Sequence, residues 1–189
     1  MNYLSYIISV FQQSSLLVYL LILIVSLLES LAFIGLVVPG TAIVIALGFL
    51  SSQGVFNIYL LSVFGFIGAI IGDIISYYWG RYSRGFFKDD NKIFKMEYLA
   101  KSKAFMEKHG GKSVFLGRFT GPLRATVPFA AGMLKMKQVK FFFYNIISAV
   151  LWITAFLSIG YFFGETWKTV SVWSTRLSVL LFWLFIFLV

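Results

Sequence analysis

Four charged side chains stand inside or beside the apolar segments of this 189-residue chain: Glu29, Asp73, Arg118 and Arg124. Their types define the chemistry open to them. A guanidinium stays charged and presents a fork of N–H donors that matches two oxygens of a phosphate. A carboxylate withdrawn from water can carry a proton. Each charge would cost about 2.5–3.5 kcal/mol at the centre of a membrane helix, so four unpaired charges would cost on the order of 10 kcal/mol, comparable to a domain's whole stability. They must pair or face water, and two acids with two bases point to a shared polar centre. Two readings stay open. Glu29 and an arginine could form a structural pair that holds two hairpins together. Alternatively, the group acts directly on a substrate or a proton.

The arginines lie in the stretch GRFTGPLRATVPFAAGM, residues 117–133. Six positions separate them, about 240° on an unbroken helix, so they would face different ways. Gly121 and Pro122 fall between them. Pro122 pushes the residue before it out of the helical region, and that residue is glycine. A break there lets both guanidinium groups turn toward one cavity.

The elements that must position these groups are those of an all-α integral membrane protein. Charged residues make up 12% of the chain and aromatic residues 20%, whereas a soluble domain carries about a quarter charged residues. The net charge of +9 is concentrated: nine of the sixteen basic residues fall between Arg81 and Lys112, and the first 80 residues hold only Glu29 and Asp73 as charges. A basic block between apolar spans reads as a cytoplasmic loop with affinity for anionic lipid, and no nucleic-acid partner is expected. There are no cysteines, so thiol chemistry is excluded. The N-terminal segment 1–15 lacks a signal-peptide pattern and suits a short interfacial helix.

Residues 16–50 form an apolar stretch interrupted at Pro39 and Gly40, which is expected to fold as a re-entrant hairpin. Residues 56–79 form a full span that carries Asp73; its Gly68 and Gly72 share a face for close helix approach. Residues 81–112 are the basic loop, with 92–109 predicted as a helix on the membrane surface that ends at His109. This histidine is the only one, and it reads as a solvated loop residue. A second broken hairpin covers 114–134 and a second span covers 141–163. A final apolar run, 177–189, is short for a span, as in a chain that continues beyond Val189. The pattern is an inverted repeat of two re-entrant helical hairpins, each followed by a transmembrane helix. Paired Gly/Pro-interrupted segments of this kind point to a binding site at the repeat interface.

Longer motifs carry a resemblance. LLESLAFIGLVVPGT (27–41), GAIIGDIISYYWGRYSRG (68–85) and HGGKSVFLGRFTGPLRATVPFAAGMLKM (109–136), then FFFYN, Trp152 and Gly160-Tyr161, occur in order over most of residues 20–165. In these the chain resembles the DedA family, also called the VTT or SNARE-associated Golgi protein-like family. The first motif also resembles the DedA half of fusions with a PAP2-type lipid phosphatase. The resemblance implies two inverted re-entrant hairpins within a DedA/VTT domain over 16–176. It further implies a flippase for undecaprenyl phosphate or a similar lipid in the bacterial inner membrane, driven by protons or sodium. Arg118 and Arg124 map to the family's functional arginines and Glu29 to its acid. Thr41 stands where many members carry a second acid, and Asp73 is the other carboxylate available for proton coupling or a salt bridge.

The expected partners are therefore membrane lipids, a lipid phosphate and a coupling ion, with a homodimer as the candidate assembly. An uncoupled phospholipid scramblase and an accessory membrane-homeostasis protein are the rival readings. An enzyme is not expected: the sequence has no metal-ligand spacing and no nucleophile–histidine cluster, and it implies no cofactor.

Overall fold

A computed structural model describes residues 15–83, 96–121 and 123–188. Of the expected interfacial segment 1–15, all but Ser15 lies outside the described residues, as do 84–95 of the basic loop and Pro122. Every described element is helical. The helices are α1 (Ser15–Ser30), α2 (Gly40–Ser52), α3 (Ile58–Tyr82), α4 (Met96–His109), α5 (Lys112–Arg118), α6 (Leu123–Met133) and α7 (Gln138–Leu188), with a 3-10 turn at Ile34–Leu36.

Two helices are long and apolar enough to cross a membrane: α3, with mean hydropathy 2.2, and Gln138–Trp167 of α7, with mean hydropathy 2.0. The start of α3 is set by Asn57, whose side chain accepts from Tyr59 N–H at 2.9 Å and Leu60 N–H at 3.3 Å, satisfying two donors the first turn leaves open. The segment expected at 141–163 and residues 177–188 of the final run belong to one unbroken helix, α7. The chain's three prolines all precede it, so no residue in it lacks a helical donor.

The first break is longer than its Pro-Gly pair implies. α1 already stops at Ser30, and Phe33 takes a left-handed φ of 66°. A bulky residue rarely adopts that conformation. Packing holds it here, with the Phe33 ring edge-on to Trp79 at 5.9 Å and to Phe129 at 5.2 Å. Pro39 stands just before α2, where its missing N–H removes no helical bond. The second break is short: Phe119 caps α5 and Gly121 has φ 38°. Pro128, by contrast, lies inside α6 without ending it.

Helix pairs meet where glycine leaves room for a facing backbone. Gly68 and Gly72 of α3 sit on the Leu23 and Leu27 carbonyls of α1, as their shared face suggested. Gly80 and Gly132 do the same between α3 and α6, and Gly48 and Gly160 between α2 and α7. α4 is packed on protein: Leu99 and Met106 are buried in a cluster with Val127 and Phe129 of α6, and Ser102 Oγ lies 2.7 Å from Thr126 Oγ1. Leu99 and Met106, part of the apolar face expected on the membrane surface, are thus covered by α6.

The apolar core forms two clusters, one around Leu61, Trp152 and Leu157, the other around Tyr77, Phe129 and Phe141. Asp73 falls between Leu61 and Tyr77 along α3, and Asn145 between Phe141 and Trp152 along α7. The polar side chains thus occupy a layer between two apolar ones.

Candidate functional site

Each break delivers one polar side chain from either side. Glu29 comes from the last turn of α1 and Thr41 from the first turn of α2. Arg118 ends α5 and Arg124 lies in the first turn of α6. All four line one cavity of about 460 Å³, together with Gly121, Phe119 and Trp152.

The charges resolve into two pairs. Arg124 Nη1 donates to Glu29 Oε1 at 2.7 Å and to Thr41 Oγ1 at 3.0 Å, while the Thr41 hydroxyl donates to the same carboxylate oxygen. Gly40 makes this possible: a Cβ there would collide with the Glu29 carboxylate. Arg118 Nη2 donates to Asp73 Oδ2, and to Asn145 Oδ1 at 2.6 Å. Glu29, Asp73 and Arg118 are all 5% exposed or less. Charges this deep need partners, because removing one member of a buried pair leaves the other without compensation.

The expected centre of two acids and two bases is thus present, and both arginines reach one cavity. Asp73 does not line that cavity and stands behind Arg118. Pro39 does not line it either. His109 lies away from it, at the end of α4, with Nδ1 3.1 Å from the Phe105 carbonyl oxygen. Among the described residues no group of three His, Cys, Asp or Glu side chains could hold a metal ion.

Sequence reasoning gave no role to Asn145 or Trp152. Asn145 is completely buried and shares Arg118 with Asp73. Its signal was available: an amide in the apolar run of a predicted span needs a partner. Trp152 is 1% exposed, and the Arg124 guanidinium carbon stands 4.0 Å from its ring centroid, a cation–π contact. Its place in the middle of the predicted span 141–163 was the available signal, although the residue type alone does not name its partner.

The pairing leaves a surplus of donors. Arg118 Nη1, Arg124 Nε and Nη2, and Asn145 Nδ2 are buried without a hydrogen-bond partner, whereas Glu29 Oε2 is the one carboxylate oxygen in that state among the described residues. A buried donor left open costs about 1–3 kcal/mol, and more when charged. Arg124 also sits at the positive end of α6, where a cation is disfavoured and an anion favoured. Chemically, the centre is prepared for an acceptor.

The chain matches the VTT domain family over residues 38–162. Protein DedA of Escherichia coli (strain K12) is 41% identical over 130 residues, covering 67% of this chain and 59% of that protein. Inner membrane protein YabI of the same strain is 34% identical over 147 residues, 74% of this chain and 56% of that protein. An uncharacterized membrane protein of Buchnera aphidicola subsp. Acyrthosiphon pisum (strain APS) is 39% identical over 149 residues, 78% of this chain and 58% of that protein. The chain therefore spans less than two thirds of the length of these relatives. No solved structure matches it.

Proposed function

Because the chain belongs to the DedA family of VTT-domain membrane proteins, we propose that it moves a lipid phosphate, of the undecaprenyl phosphate kind, across the bacterial inner membrane, driven by an ion gradient. The observation that carries this reading is the donor surplus beside the cavity. A phosphate supplies the missing acceptors, and the arginine forks fit its oxygens. That one relative is named an inner membrane protein supports the location, with the basic loop on the cytoplasmic side.

Two broken helix pairs entering from opposite faces would place the site near mid-membrane. Helices α1, α2, α5 and α6 have 16, 13, 7 and 11 residues. At 1.5 Å per residue each is shorter than the ~30 Å hydrocarbon layer. A proton arriving on Glu29 would remove the counter-charge of Arg124 and leave the full positive charge of its guanidinium for the phosphate. Sodium at the same carboxylate would act alike. Asp73 stays with Arg118 and keeps that guanidinium in place.

The test is transport of a labelled polyprenyl phosphate in proteoliposomes, with wild type, Glu29→Gln and Arg124→Ala compared with and without a pH gradient. A gradient-accelerated flux in wild type, lost in both variants, is the expected result. Equal movement by all three proteins would mean that the charges are structural and that the activity is uncoupled scrambling.

A further inference from the structure

We propose that Trp152 is a positioning residue whose indole face orients the Arg124 guanidinium, so that its Nε/Nη2 edge is the part held for the anion. The inference rests on the phosphate reading above and divides the labour between the two arginines.

A guanidinium has a flat face and distinct N–H edges. The face of Arg124 is set by the indole, 4.0 Å from guanidinium carbon to ring centroid. One corner is set by Nη1, which serves Glu29 and Thr41. With the plane and one corner fixed, rotation within the plane is fixed as well. What remains is the edge carrying Nε and Nη2, and these are the two atoms without a partner. Two parallel N–H groups on one edge form the side-on fork that takes two oxygens of a phosphate. The edge is shielded in this state, while the same side chain lines the cavity. Anion entry therefore requires the cavity to widen along the guanidinium, not the arginine to swing.

Arg118 differs. Its Nη2 is shared between Asp73 and Asn145, and Nη1 is its one buried donor atom without a partner. Both two-nitrogen edges of a guanidinium that can form a fork include Nη2, so neither edge of Arg118 is wholly open. The tryptophan is itself immobilised: Trp152 is buried in the cluster with Ile22, Leu61 and Leu157 and packs on Phe156 at 5.6 Å. A rigid platform behind a charged fork is what orientation of a ligand demands.

The test uses the whole chain in detergent micelles with ¹⁵N-labelled arginine. The chain has five arginines, so the Nε–H spectrum is sparse, and loss of a peak in Arg124→Lys identifies Arg124. In the free protein, the Arg124 Nε–H signal is expected upfield, shifted by the indole ring current. The shift should vanish in Trp152→Leu and largely persist in Trp152→Phe. Titration with farnesyl phosphate should move the Arg124 signal more than that of Arg118. Trp152→Leu should bind this probe about 10-fold more weakly and Trp152→Phe within about 3-fold, the range of a desolvated cation–π contact.

Absence of the ring-current shift in wild type overturns the proposal, as does unchanged affinity in a folded Trp152→Leu. If Trp152→Leu does not fold, Trp152→Phe and the wild-type titration decide the matter alone. Failure of wild type to bind farnesyl phosphate removes this inference and the phosphate reading together. Phosphate transport that persists while Trp152 substitutions leave affinity untouched removes this inference only.

Discussion

Glu29 and Arg124, separated by 95 positions in the chain, meet at 2.7 Å, each at a broken helix end, with the Thr41 hydroxyl closing the triangle. The bond joins the first broken helix pair to the second. On the proposed function, stability and transport would both draw on this contact, so substitutions there need a design that separates the two.

Removing one member of this pair leaves a buried charge unmatched. Arg124→Ala or Glu29→Ala alone is expected to lower unfolding stability by about 3–5 kcal/mol. The double variant is expected to lose less than the sum, because no bare charge remains. Thermal or denaturant unfolding in detergent, analysed as a double-mutant cycle, reads the coupling. Strict additivity would show that the two side chains do not interact.

Asn145 is expected to matter through Arg118. Asn145→Leu removes the acceptor at 2.6 Å and should cost about 1–3 kcal/mol. Arg118→Lys keeps the charge, but an ammonium lacks the planar fork and is expected to be defective as well. In the Arg118→Lys background, Asn145→Leu should cost clearly less than in wild type. The same unfolding assay checks this, and an equal penalty in both backgrounds would contradict the pairing.

Gly40→Ala places a methyl group against the Glu29 carboxylate. Overpacking of this kind costs about 1–3 kcal/mol, and here it should also displace the acid from Arg124 and slow transport. Glu29→Ala removes the carboxylate but keeps the Cβ, 3.0 Å from the added methyl, so Gly40→Ala should cost clearly less in that background. A full penalty in that background would place the clash elsewhere.

Much of this centre is legible from residue types. Charges are expensive in apolar segments, so Glu29, Asp73, Arg118 and Arg124 mark themselves, and Gly121 marks the turn between the arginines. The assignment of partners is not legible. It depends on how closely α1, α3 and α6 approach, which glycine contacts with distant carbonyls decide. The early end of α1 at Ser30 is equally hidden, since the left-handed Phe33 is held by rings from α3 and α6. Trp152 gets no role from the sequence because its partner, Arg124, lies on another helix, and only the packing of α6 against α7 brings them together. The continuity of α7 is hidden because a polar interval that starts at Gly164 reads as a loop, although it contains no proline.

The order of the pairing partners along the chain has a consequence for synthesis. Both acids precede both arginines, with 45 positions between Asp73 and Arg118 and 95 between Glu29 and Arg124. At a translation rate of about 5–20 residues per second, Glu29 waits roughly 5–19 s for Arg124 to be made, and Asp73 roughly 2–9 s for Arg118. During that interval the nascent chain carries two carboxylates in its apolar segments without the guanidinium groups that complete them, each penalised by about 2.5–3.5 kcal/mol if it enters hydrocarbon. The N-terminal helices thus gain their final environment only after the second half has been translated, and biogenesis must shelter them until then.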